Sequence, residues 1–211
     1  MDITQLIAED HIEQRRLFAL IEELDSDDKD TLRAVWTRLR VLLDTHAFAE
    51  ERFFYPELLK LGRGADNESP CEETRDAIKD HNEIRDTACE VDRHEVGSPD
   101  WFDAVAAANR ANSDHMAEEE RQGLTDFRRN APIELRHRLG TDFLRFESEH
   151  LTGTGVKPVD RNVGEYLSAN SKADRSDWIV GAKPDFGAPL CAAALQDPPT
   201  TPVNDRVPSM S

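Results

Sequence analysis

His11, His46, His81 and His115 divide the first part of this 211-residue chain into steps of 35, 35 and 34 residues. Two of them open the same motif, H-x-x-x-E: His46 with Glu50, and His115 with Glu119. An α-helix turns once in about 3.6 residues, so positions i and i+4 share a face. Each motif therefore points an imidazole and a carboxylate in one direction. Near-equal steps of this length suit one helix and its turn per step, which would set the four histidines at similar heights on four successive antiparallel helices. Four imidazoles and two carboxylates converging in a bundle core describe a two-metal site.

The repetition extends beyond the histidines. D-H-x-E-x-R runs from Asp10 to Arg15 and again from Asp80 to Arg85. H-x-x-x-E-E-R runs from His46 to Arg52 and again from His115 to Arg121. The copies are offset by 69 to 70 residues throughout, which predicts two related helical hairpins packed about a pseudo-two-fold axis.

In this order of motifs, residues 1–130 resemble the hemerythrin-like, or HHE cation-binding, proteins. The resemblance implies an all-α fold, an antiparallel up-down four-helix bundle holding two oxo- or hydroxo-bridged iron ions. It makes His11, His46, His81 and His115 terminal iron ligands, and Glu50 and Glu119 the carboxylates that bridge or cap the irons. The oxygen carriers of that family have a fifth histidine four residues after the third. Arg85 stands at that position here and stays protonated. Either one iron keeps an open position or another side chain fills it. Tyr55 is the candidate, because the halves diverge just after Arg52 and Arg121. On a regular helix Tyr55 lies about 140° from Glu50, which favours a core aromatic. Pro56 disturbs that regularity and leaves room for a phenolate ligand or a hydrogen-bonding phenol.

Helix signals place these residues. The spacing predicts helices over about 3–24, from about 29 to Leu61 with a kink at Pro56, over 70–95, from Pro99 to near Arg129, and from Pro132 to about Leu151. Ser69-Pro70 and Ser98-Pro99 read as N-cap and first helical residue. These elements divide the chain into a bundle over 1–130, a fifth helix packed on it over 131–151, and an irregular C-terminal extension over 152–211. The extension holds seven of the eleven prolines and five of the ten glycines. A short helix over Val163 to Ser171 is expected, with Trp178, Ile179, Phe186 and Leu190 packed along the bundle and the last ten or so residues loose.

Composition narrows the function classes. The net charge of −17 opposes phosphate contacts, so nucleic acid and anionic membranes are not expected partners. No apolar run is long enough for a membrane span, and the N-terminus lacks a basic-then-apolar leader, which predicts a cytoplasmic protein. Cys71, Cys89 and Cys191 form no CxxC pair and read as reduced thiols. His94, His137 and His150 fall outside the repeat and are expected at the surface. Glu51 and Glu120 turn away from the site and are expected to be solvated or paired with arginine. Asp10, Glu13, Asp80 and Glu83 flank the histidines and are weaker candidates to orient them.

Imidazole and carboxylate ligands suit iron first, manganese second, and zinc less well. The family resemblance implies a small-molecule oxidant as partner: hydrogen peroxide first, with catalase-like breakdown, then nitric oxide or O2. The rival reading is a protein that senses O2, nitric oxide or iron, or donates iron for repair, without turnover. A monomer or weak dimer is expected.

Overall fold

The computed structural model describes residues 1–171; the expected packing of Trp178, Ile179, Phe186 and Leu190, the loose terminus and Cys191 lie outside the described residues. Its long helices are α1 (Ile3–Glu23), α2 (Lys29–Ala49), α4 (Pro70–Val91) and α5 (Pro99–Arg121). Each rises about 30 Å or slightly more, and short turns between them force an antiparallel bundle. Caps explain where they start. Asp2 and Asp28 accept from the first free N–H groups of α1 and α2, Ser69 forms a capping box with Glu72, and Ser98 accepts from Trp101. Gly97, at φ +81°, supplies the left-handed turn before α5.

Two of the expected helices are interrupted. The second does not simply kink at Pro56. Glu50–Phe54 forms a π-helical segment, and α3 (Tyr55–Leu61) follows it. Proline has no N–H for the Arg52 carbonyl and its ring crowds that carbonyl, so the chain widens by one residue before it. The fourth breaks at Gln122 (φ −101°, ψ −84°), and α6 (Gly123–Asn130) resumes after it. Both interruptions come directly after the two H-x-x-x-E motifs.

The core has two apolar blocks. One, including Leu17, Phe18, Leu39, Val91 and Trp101, fills the bundle end near the α1–α2 turn. The other, including Ile7, Phe54, Leu58, Phe127 and Phe143, fills the opposite end. The histidine-bearing layer lies between them. α7 (Ile133–Glu149) packs on α1 and α2. Gly140 lets it approach closely, since a Cβ there would lie 2.8 Å from the Met1 carbonyl oxygen. α8 (Val163–Ser171) packs on α3 and α4. Cys71 is a free, exposed thiol. Among the described residues no helix is long and apolar enough to cross a membrane.

Candidate metal centre

The four helices bring His11, His46, His81, His115, Glu50 and Glu119 into one buried layer, each at most 4% exposed. His46 and Glu50 meet across one turn of α2, with Nε2 3.0 Å from Oε1. The other Glu50 oxygen lies 3.2 Å from His81 Nε2. Glu50 therefore spans two histidine pairs, His11 with His46 and His81 with His115, whose ring centroids are 5.1 and 4.6 Å apart. The triads His11–His46–Glu50 and Glu50–His81–His115 each have ligand atoms within 4.8 Å of one another. Glu119 Oε2 lies 3.4 Å from His11 Nε2.

Each histidine has its other nitrogen on a carboxylate from a different helix. His46 Nδ1 meets Asp10 at 3.0 Å, His81 Nδ1 meets Glu51 at 3.1 Å, His115 Nδ1 meets Asp80 at 3.4 Å, and His11 Nδ1 meets Glu120 at 2.9 Å. The links run α1 to α2, the π segment continuing α2 to α4, α4 to α5 and α5 back to α1, closing a ring. An ionised carboxylate only accepts, so each Nδ1 carries the proton and each Nε2 faces inward as a lone pair. Asp10 and Asp80 do orient histidines, but on the next helix rather than their own. Glu51 and Glu120 are paired with arginine as expected, and also hold histidines. Arg15 reaches Glu120 at 2.8 Å and Arg85 reaches Glu51, which accounts for the arginine in both copies of D-H-x-E-x-R. Arg85 thus occupies the fifth-histidine position but spends its guanidinium on Glu51. Glu13 instead pairs with Arg16 and Arg38.

Two further elements reach this outer ring. Arg161 Nε donates to Glu51 Oε2 at 2.7 Å, and Tyr166 Oη donates to the Glu51 carbonyl at 2.5 Å. Glu147 of α7 hydrogen-bonds Asp10, and burial together with the Asp10 charge pushes its carboxyl up to about 9. No periodicity argument links these residues to the site, because their partners are set by packing across long sequence separations.

Tyr55 is fully buried, and its hydroxyl donates to Glu119 Oε1 at 2.6 Å. The regular-helix angle that separated it from Glu50 does not apply. In the π segment the Tyr55 N–H bonds to the Glu50 carbonyl, so the two residues sit one wide turn apart on the same side. Burial, then the charges of Glu119 and Glu50, push the phenol well above its usual pKa of 10. His94 pairs with exposed Glu90, His137 is exposed, and His150 stacks on Phe146; none of the three enters the layer.

The donor set fits a metal. His11 Nε2, His46 Nε2, both Glu50 oxygens and Glu119 Oε2 are buried without a hydrogen-bond partner. His81 Nε2 and His115 Nε2 face each other at 3.1 Å. With both Nδ1 protons committed to carboxylates, two lone pairs meet there unless a cation or an extra proton lies between. Burial alone would lower the His46 pKa, but Glu50 and Asp10 more than offset it and hold it well above 6.5. Burial would likewise raise Glu50, yet His46 and His81 hold it well below 4.5. Without an ion the layer thus draws in protons as substitute positive charge, and leaving buried ligands uncompensated is costly.

The chain has no significant match among curated proteins or solved structures. The family model for the hemerythrin HHE cation-binding domain matches residues 2–124, which include all four histidines, Glu50, Tyr55 and Glu119. The chain is thus a metal-binding member of the hemerythrin HHE cation-binding family.

Proposed function

We propose that the bundle holds two iron ions, with manganese the second candidate, and breaks down hydrogen peroxide, with nitric oxide and O2 as neighbouring substrates. The observation that carries this reading is the donor count. Four Nε2 atoms and two carboxylates converge in one buried layer and would hold two metals between them, and Arg85 is turned to Glu51 where a fifth histidine would stand. That leaves coordination positions for a small molecule. When bound, the irons supply the redox equivalents and Lewis acidity that peroxide cleavage needs.

The chain's own residues then have separable tasks. Glu50 spans the two histidine pairs and holds them at a fixed separation. Tyr55 holds a proton on its hydroxyl, 2.6 Å from Glu119, where it can be lent to an incoming oxidant or kept to orient that carboxylate. Tyr55 is also the candidate to ligate iron directly. The apolar blocks on either side keep bulk water out, which strengthens every interaction inside. The protein is proposed to work in the cytoplasm, as a monomer or weak dimer, with no nucleic-acid partner.

Oxygen release from hydrogen peroxide by iron-loaded protein, followed with an oxygen electrode, tests the reading. Tyr55→Phe should change the rate and the electronic spectrum while leaving the iron in place. A protein that releases no O2 from peroxide and consumes no nitric oxide gives way to the sensing or iron-donating reading. One observation favours that second reading: Arg161 and Tyr166, outside the bundle, grip the residue that orients His81. Such a link could carry a change at the centre out to the extension.

A further inference from the structure

A narrow cleft between α3, α4 and α5 ends at the centre. Tyr55, His115 and Glu119 form its floor, Glu73 and Asp80 its wall, and Glu118 lies at its exposed rim. Its volume of about 20 Å³ admits roughly one water. Among the described residues, no lysine or arginine lines it. Lys79 is nearby, held by Asp76 at 2.6 Å.

Glu73 has no role in the ligand layer or its outer ring. It is 5% exposed. One oxygen accepts from the Ala65 N–H at 2.9 Å, tying down the loop over 62–69, and the other is buried with no partner. Burial first, then the charges of Asp126 and Glu68, push its carboxyl up to about 7. A buried carboxyl with a bare oxygen, beside a cleft whose floor includes Glu119, is placed to meet a cation on its way in.

We propose that this cleft is the route by which a divalent cation reaches the centre, with Glu73 the carboxylate that takes the ion from the rim and passes it to the floor. The proposal rests on the layer being a metal centre. Two other approaches carry positive charge: Arg15 covers Glu120, and Arg85 and Arg161 cover Glu51; on a third side Glu147 of α7 closes over Asp10 and His46. A surface depression beside Glu120 is lined by Arg15 and Arg128. A cation approaching the acidic cleft is drawn in, while one approaching the arginines is repelled.

The test is the rate of metal uptake. Metal-free protein is mixed anaerobically with ferrous ion, quenched with chelator at intervals, and its iron counted. Glu73→Gln keeps an oxygen for the Ala65 N–H and removes the charge. It should slow uptake about tenfold with the final iron content unchanged, and Glu118→Gln should slow it by a smaller factor. Equal rates in wild type and both variants overturn the proposal, as does a lower final iron content in Glu73→Gln, which would make Glu73 a ligand. If Glu73→Gln does not fold by circular dichroism, Glu118→Gln decides in the same way. A wild-type chain that takes up no iron at all overturns the metal-centre reading itself, and the route with it.

Discussion

At the scale of single residues, the outer carboxylates matter as much as the ligands. Glu51 is buried, receives Arg85 and Arg161, and holds the His81 ring. Burial would raise its pKa, but the two arginines and His81 hold it down at about 2, so it is ionised at any pH the protein meets. Glu51→Gln should weaken metal affinity about 10–100-fold by loosening the His81 tautomer, with little change in helix content. Competition against a chelator measures this, and an unchanged affinity would refute the orienting role. Tyr55→Phe removes a donor from a buried charged acceptor. It should cost about 1.5–3 kcal/mol of stability in the metal-free protein, read from denaturant unfolding. No loss would mean that Glu119 finds another partner.

That the four histidines, Glu50 and Glu119 would converge was legible in the sequence because i, i+4 spacing is a local property. The D-H and E-E pairs were also visible as repeats. What hid their partners is that Asp10 serves His46 and Glu120 serves His11, links that only the packing of different helices creates. The repeated arginines at 15 and 85 were the available signal, since nothing else required the same cation in both copies.

At the scale of elements, the two breaks after the H-x-x-x-E motifs are where helix-period reasoning failed. Pro56 signalled a disturbance but not its form. A bend would have left Tyr55 turned away, whereas an inserted residue brings it round to Glu119. The Gln122–Gly123 break had a weaker signal, a lone glycine inside an otherwise periodic run. The short helix over Val163 to Ser171 was readable from its own sequence, but its grip on Glu51 was not. A chain ending at residue 151 keeps every proposed ligand and should still fold and bind metal. Without Arg161 and Tyr166 it should release metal faster than a chain ending at 171. Equal dissociation rates from the two chains would show that the extension is a bystander.

At the scale of the whole molecule, most of the net charge of −17 belongs to the bundle. Residues 152–211 carry six Lys and Arg against seven Asp and Glu, leaving −16 for residues 1–151. Metal removal adds uncompensated carboxylate to this excess, so the metal-free protein should unfold at lower temperature. At a free metal concentration of 100 times Kd, the linkage is worth about 2.7 kcal/mol, or about 5–10 °C for a chain of this size. Calorimetry with and without chelator checks this. A pH effect adds to it. Glu73 keeps its proton up to about 7 in the folded chain, against an ordinary value of 4.5. Between those values the folded state binds more protons than the unfolded one, so this group's contribution is full below about 4.5 and is lost as pH rises to 7. Denaturant midpoints should therefore fall less steeply with pH in Glu73→Gln than in wild type across that window. Parallel curves would show that Glu73 titrates normally.

The closed ring of carboxylate-to-histidine links has a mechanical consequence. Each of the four helices both lends an acid to one neighbour and receives one from the other. If any helix slides by one turn, about 5.4 Å, it unhooks its own histidine and strands its neighbour's, so a single slip breaks two links of the four. Leucine and valine faces tolerate such a slip, because one apolar turn resembles the next. The polar ring does not, and it fixes the vertical alignment of a bundle whose greasy surfaces would otherwise fit in several registers.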